Sequence, residues 1–229
     1  MINIYSDEFL FIWGTTLFSF FIYWGYGLMY LIPDLFYTSL QKYKIQPNIK
    51  PLEKKNSMII FDIIKVVVVN QLVLTPFIAS ILYRYYENQI IEFPTFFIFC
   101  RDIILFFLVI EVCFYYSHRF LHLPFIYKHI HKLHHKYNAP ISITALYAHP
   151  IEYIISNILP VMIGPILCSS HLVTIYTWLF IVIINTVTVH SGYNIFYILD
   201  STKHDMHHKN FNCNYGVLNI LDYLYGILK

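Results

Sequence analysis

The chain reads as an all-α protein, a multi-spanning transmembrane helix bundle that carries a histidine-rich helical cap on its cytosolic face. Three observations support that reading. Of 229 residues, 58% are apolar and 12% charged, against about 45–50% and roughly 25% in soluble globular chains. The apolar residues gather in runs of bilayer length. Ten of the twelve histidines fall within residues 118–149 and 204–208. Half the usual charge cannot cover a soluble domain of this length, and so apolar a chain is not disordered. A net charge of +2 with no long basic tract argues against a nucleic-acid surface. Cys100, Cys113, Cys168 and Cys213 show no C-x-x-C spacing and read as buried thiols, not as a disulfide framework.

The spans follow in order, each needing about 20 mostly apolar residues. Residues 9–32 carry no charge and close at Pro33. Asp7 and Glu8 before this run, and the lack of a small-residue cleavage site after it, argue against a signal peptide. Residues 58–82 contain Asp62, Lys65, Asn70 and Gln71; residues 93–117 contain Arg101, Asp102 and Glu111. Polar groups at membrane depth face neighbouring helices, so both runs belong to a bundle. Residues 151–168 and 172–189 form a hairpin that enters and returns around Ser169, Ser170 and His171.

Lysines set the orientation. Residues 41–57 carry Lys42, Lys44, Lys50, Lys54 and Lys55 against Glu53 alone, which places this loop in the cytosol. Counting spans forward returns residues 117–150, and everything after His190, to the same side. Arg119, Lys128, Lys132, Lys136, Lys203 and Lys209 agree. The chain divides into an N-terminal helix with its basic loop, residues 1–57, and residues 58–229, with no linker between the bilayer and histidine segments. The helices at 58–82 and 93–117, with the hairpin, are expected to wall an apolar cavity beneath the histidines.

His118-x-x-x-His122 puts two imidazoles on one helical face a turn apart. His131-x-x-His134-His135 and His204-x-x-His207-His208 combine spacings of three and four, and His190 stands at the hairpin's exit. His129 and His171 fall outside these spacings and read as ordinary interfacial side chains. So many crowded imidazoles make sense when a divalent metal offsets the cost of holding them together. Eight or nine ligands exceed one zinc site and match two metals with four or five each. Imidazole suits zinc, copper, iron and nickel alike, so ligand type does not choose. No H-E-x-x-H occurs, so the zinc-protease pattern is absent. Paired metals facing an apolar interior favour lipid oxidation at a di-iron centre. A non-enzymatic histidine-rich protein that binds or moves metal is the competing class, but a transporter needs ionisable ligands near mid-membrane, whereas these boxes follow helix ends.

The order of the boxes resembles the fatty acid hydroxylase / sterol desaturase superfamily. Tyr115-Tyr116-Ser117-His118-Arg119 resembles that family's Y-x-x-H-R. Within it, the residues from His131 through Asn138-Ala139-Pro140, then Tyr147-Ala148-His149-Pro150-Ile151-Glu152, are similar to methylsterol monooxygenases. So are Val189-His190-Ser191-Gly192-Tyr193-Asn194 and the box at His204 followed by Asn214-Tyr215. The resemblance implies a di-iron site ligated by His118, His122, His131, His134, His135, His190, His204, His207 and His208. It implies that His149, Asn194, Glu111 and Asp205 are candidates for orienting the ligand imidazoles. It also implies an O2-dependent monooxygenase of the endoplasmic reticulum membrane. NAD(P)H would supply electrons through a reductase and a b-type cytochrome, and a lipid C–H bond, such as a methyl at the fourth sterol carbon, would be hydroxylated. The alternatives within the family are a fatty acyl or sphingolipid hydroxylase and a desaturase. Two departures from the methylsterol pattern stand out: Lys203 replaces a common histidine, and Leu221-Asp222-Tyr223 replaces a tryptophan-containing ending.

Overall fold

The computed structural model describes residues 6–36, 39–49, 57–87, 92–195 and 200–229. Lys50, Glu53, Lys54 and Lys55 of the basic loop lie outside the described residues. In chain order the helices are α1 Asp7–Phe36, α2 Met58–Tyr86, α3 Phe96–Leu121, α4 Pro124–His129, α5 Pro150–Leu167, α6 Leu172–Val189, α7 Thr202–Asn210 and α8 Ile220–Leu224. Single 3-10 turns lie at Ser39–Tyr43, His131–Lys136 and Ser142–Thr144. Among the described residues no strand forms beyond one isolated bridge between Lys44 and Tyr193.

Four helices, α1, α2, α5 and α6, are long and apolar enough to cross a membrane. α3 has 26 residues, about 39 Å at the helical rise, but Arg101, Asp102, Glu111 and Arg119 lower its apolar content. It packs closely on α5, where a Cβ at Gly164 would meet the Phe106 ring at 2.9 Å. Outward faces are apolar. Phe21, Met29, Phe61, Phe77 and Ile104 are 60–69% exposed, a surface suited to lipid and costly in water.

Several polar groups within the runs face neighbours, as expected of a bundle. Asn70 donates to the carbonyls of Leu146 and Ala148 at 3.2 and 3.0 Å. Gln71 accepts from Trp24 Nε1 at 2.9 Å. Asp102 accepts from Ser170 Oγ at 2.8 Å and so ties α3 to the hairpin turn. Lys65 departs from the expectation and points outward. It lies two turns from the end of α2 that meets the cap, where a long stem can carry its ammonium to the interface.

The core joins membrane and cap into one unit. Tyr23, Tyr30, Ile63, Val67, Ile141, Ile143, Tyr147, Val187 and Tyr193 pack together, drawing on α1, α2, α6 and the cap turns. Ser142 Oγ donates to the Gly27 carbonyl at 2.8 Å, and Tyr23 OH to the Ile143 carbonyl at 2.9 Å. The segment after α1 returns to the same place through a buried pair, Lys44 Nζ to Asp34 at 2.7 Å. Tyr193 OH also donates to Asp34 at 2.7 Å. Gly192 at φ +71 allows this approach, since a Cβ there would meet the Pro140 carbonyl at 2.9 Å.

Removing one member of a buried ion pair leaves the other charge unpaired, which costs about 3–5 kcal/mol. Asp34→Ala should therefore lower the thermal stability of the detergent-solubilised protein more than Asp34→Ala combined with Lys44→Met. Equal losses would mean that the pair carries no such burden.

Candidate metal centre

Four elements deliver nine imidazoles to one place at the capped end of the bundle. The last turn of α3 supplies His118, and His122 ends that helix. The 3-10 turn supplies His131, His134 and His135. His190 ends α6 and α7 supplies His204, His207 and His208. They sort into two groups that could each hold a metal ion: His118, His122, His131, His135 and His207, then His134, His190, His204 and His208. Within each group the candidate donor atoms all lie within 4.8 Å of one another. Each H-x-x-H-H box is thus divided. Its outer pair, four residues apart, serves one group and the remaining histidine serves the other. Neither group can form without both boxes.

In the five-histidine group the Nε2 atoms close a ring: His122 to His131 at 3.0 Å, His131 to His135 at 3.0 Å, His135 to His207 at 3.2 Å, and His207 to His122 at 3.2 Å. Nitrogens set at right angles around an ion about 2.1 Å away would be about 3.0 Å apart. The ring therefore has the size of a coordination shell. In the four-histidine group His134, His190, His204 and His208 follow one another at 3.3, 2.9 and 3.1 Å.

Outer partners fix which nitrogen faces inward. The Nδ1–H of His118 donates to the Tyr215 carbonyl at 2.9 Å, that of His207 to Cys213 at 2.7 Å, and that of His190 to Thr186 at 2.8 Å. A carbonyl only accepts, so each of these rings presents a bare Nε2 lone pair to its group. His131 Nδ1 lies 2.9 Å from Glu152 Oε1, a carboxylate buried with it. Burial, and then the neighbouring imidazoles, hold His131, His134, His135, His204, His207 and His208 well below the ordinary histidine value. His122 is lowered for the same reasons. Neutral rings with converging lone pairs are the donor set a cation requires.

The residues expected to orient the imidazoles are placed elsewhere. Glu111 accepts from the backbone N–H groups of Leu218 and Leu221 at 2.7 and 3.0 Å. Asp222 accepts from those of Tyr215 and Gly216 at 2.7 and 2.6 Å. These acids clamp the chain that offers the Tyr215 carbonyl to His118, and Glu111 acts only through that backbone. Asp205 accepts from Gln46 at 2.9–3.0 Å and anchors α7 to the loop. A helix turns about 100° per residue, so Asp205 points away from the face of His204. Asn194 uses its backbone N–H on Tyr43 at 3.0 Å, with its side-chain oxygen buried and unpartnered. His149 caps α5, accepting from the N–H of Ile151, and His171 caps α6 in the same way. His129 is exposed and bonds its own helix at Phe125. Sequence reasoning missed Glu152, which does touch a ligand-type imidazole. The signal for it was an acid three residues after His149, in the first turn of α5.

A cavity of about 650 Å³ opens beneath both groups. His118, His131, His134, His190 and His204 line one end; Phe107, Phe114, Met162, Trp178 and Leu179 line its wall. α2, α3 and the hairpin contribute as expected. α1 contributes too, through Thr15, Thr16, Ser19 and Tyr23.

A family model described as fatty acid hydroxylase matches residues 103–227. The chain belongs to this family. It is 49% identical to the human "Fatty acid hydroxylase domain-containing protein 2" over 135 residues, which cover 59% of this chain but only 40% of that protein. A Dictyostelium discoideum protein provisionally named as a methylsterol monooxygenase is 36% identical over 98% of this chain and 86% of its own length. A very-long-chain aldehyde decarbonylase of Oryza sativa subsp. indica is 31% identical over 86% of this chain and 79% of its own. No solved structure gives a significant match. The family is known for iron use, and the two groups suit it in donor type and spacing.

Acid should destabilise the metal-free fold. Unfolded histidines titrate near pH 6.5, whereas these rings resist protonation when folded, so below that pH the unfolded chain binds more protons and stability falls. The melting temperature of metal-free protein in detergent should be level above pH 7 and drop steadily from pH 6.5 to 5. A level profile throughout would show that the rings are not held neutral.

Proposed function

We propose that the protein is a membrane di-iron oxygenase that hydroxylates a C–H bond of a lipid, with a methylsterol as substrate. One observation carries the reading: nine neutral imidazoles in two shells form the roof of an apolar cavity set among membrane helices. His118, His122, His131, His135 and His207 would hold one iron, and His134, His190, His204 and His208 the other. Iron bound there would supply the activation of dioxygen and the oxidising power to break a C–H bond.

The protein's own residues do the rest. The carbonyls of Cys213, Tyr215 and Thr186 keep three imidazoles in the required tautomer and orientation. Burial disfavours the charged form of the Glu152 carboxyl; with cationic metal bound nearby it would carry its negative charge behind His131 and partly offset an otherwise neutral shell. The apolar wall admits a lipid laterally, excludes bulk water and presents one carbon to the roof. A volume of about 650 Å³ falls within the usual range of small-molecule sites, about 300–1,000 Å³. The sterol assignment rests on the extended likeness to methylsterol monooxygenases; a fatty acyl hydroxylase would use the same roof.

Hydroxylation balances as RH + O2 + 2e⁻ + 2H⁺ → ROH + H2O, so two electrons must arrive from outside. We assign them to NAD(P)H, relayed by a reductase and a b-type cytochrome, at the endoplasmic reticulum. The charge of the cap supports a cytosolic position and an acidic donor. Arg119, Lys128, Lys132, Lys136 and Lys209 are exposed, while Asp205 and Asp222 are buried. Excess Lys and Arg marks the cytosolic side.

An impermeant thiol reagent applied from the cytosol should label Asn138→Cys in a background without native cysteines. Labelling only from the lumen would reverse the orientation. Anaerobically purified protein should contain about two irons per chain, the number that matches its ligand count. His134→Ala and His207→Ala should each abolish activity while the helical content stays intact. Cells lacking the protein should accumulate sterols that keep both methyls at the fourth carbon. Zinc without iron would reject the oxygenase; unchanged sterols with lost hydroxylated sphingolipids would move the substrate to the acyl class.

A further inference from the structure

Most polar side chains lining the membrane part of the cavity are already paired. Gln71 is held by Trp24, Thr75 and Tyr153 share a hydrogen bond at 2.9 Å, and Ser156 donates to Ser117 at 3.0 Å. Thr15 and Thr16 donate to backbone carbonyls one turn earlier. Asn157 and Asn185 differ. Both line the cavity, and neither carboxamide has a hydrogen-bond partner among the described residues. Ser19 also has no side-chain partner among the described residues, but a serine hydroxyl can turn back onto its own helix. A carboxamide carries two donors and an acceptor, and leaving them unpaired beside apolar walls is costly.

Their position is as telling as their chemistry. Asn185 lies on α6 five residues before His190, which is about 7.5 Å along the helix axis. Asn157 lies on α5 five residues past Glu152, the carboxylate behind His131. Two helices therefore carry a carboxamide at a similar depth, just below the histidine roof. Asn157 also sits in the π-turn Tyr153–Ile158, a widened turn of the kind that recurs at functional sites. The two carboxamides offer hydrogen bonds of both senses and carry no charge themselves, which suits a neutral hydroxyl better than a carboxylate or an ammonium.

We propose that Asn157 and Asn185 form a subsite that hydrogen-bonds a neutral hydroxyl of the lipid, a few bonds from the carbon held at the roof. This rests on the reading that the cavity holds the lipid substrate. The hydroxyl would set the depth at which the lipid stops, and so choose which carbon is oxidised. The walls below would select only for an apolar body.

Binding to the iron-loaded protein in detergent, followed by competition with a radiolabelled sterol or alcohol, tests this with two probe pairs. One pair is a 4,4-dimethylsterol with a free 3-hydroxyl and its 3-O-methyl ether. The other is a long-chain fatty alcohol and its methyl ether. The unaltered protein should bind the hydroxyl member of at least one pair about tenfold more tightly, in line with two hydrogen bonds of ordinary net strength. Asn157→Leu combined with Asn185→Leu should remove that preference by weakening the hydroxyl member alone. Each single change, Asn157→Ala or Asn185→Ala, should remove part of it. Because leucine takes an unpaired polar group off an apolar wall, the double variant should melt no lower and keep its iron. A preference confined to the alcohol pair would keep the subsite and reject the sterol substrate. No preference in the unaltered protein, a preference that survives in the double variant, or a fall in its melting temperature would each overturn the proposal.

Discussion

Eight imidazole nitrogens about 3 Å from their neighbours and a ninth, of His118, within 4.8 Å of its group are the constraint around which the structure is arranged; among the described residues one carboxylate, Glu152, pairs with any of their rings. Several of these nitrogens carry lone pairs that point at one another, because their opposite ring positions already donate to carbonyls. Without a cation the arrangement costs free energy. With one at each centre the same convergence becomes coordination. The surrounding structure serves to keep the rings convergent. Cys213 and Tyr215 each hold one ring of the five-histidine group. Asp222 and Glu111 hold the backbone carrying those carbonyls, and Gly216 lies where a Cβ would meet both acids at 2.8–2.9 Å. Asp205, through Gln46, secures α7 from its other side.

Membrane and chemistry are joined by the same helices. α3 crosses the bundle against α5 and ends in His118 and His122; α6 leaves the bundle and ends in His190. The rings are therefore fixed at the mouth of an apolar space that helices must enclose, since unpaired backbone is not tolerated in hydrocarbon. α1 is part of this enclosure. It packs on the cap turn at Ser142–Thr144 and lines the cavity, so the N-terminal segment contributes to the site's shape as well as to its anchorage.

Much of this was legible in the residues themselves. Long apolar runs specify spanning helices because a bilayer leaves few alternatives, and repeated histidine spacings point to shared ligation. The division of each box between two groups was not legible. One box lies in a 3-10 turn at His131–Lys136 and the other in an α-helix at Thr202–Asn210, and local spacing does not say which distant rings each histidine meets. The partners of the acids were not legible either. Asp205 stands beside His204 in sequence and Glu111 two turns before His118, yet their partners are a glutamine and backbone groups more than a hundred residues away. In the segment Tyr147–Glu152 the family pattern pointed to His149, not Glu152, as a candidate for orienting the ligand imidazoles. In the fold that histidine caps α5, and the carboxylate one turn on turns inward to His131.

The central claim is that two all-histidine shells, of five and four rings, hold the metals. X-ray absorption at the iron edge of the loaded protein tests it most directly. The account predicts a first shell dominated by imidazole nitrogen at about 2.1 Å, averaging between four and five rings per iron, with the outer-ring scattering that imidazole produces. A first shell dominated by carboxylate oxygen or sulfur, or one with two or fewer imidazoles per iron, would contradict it.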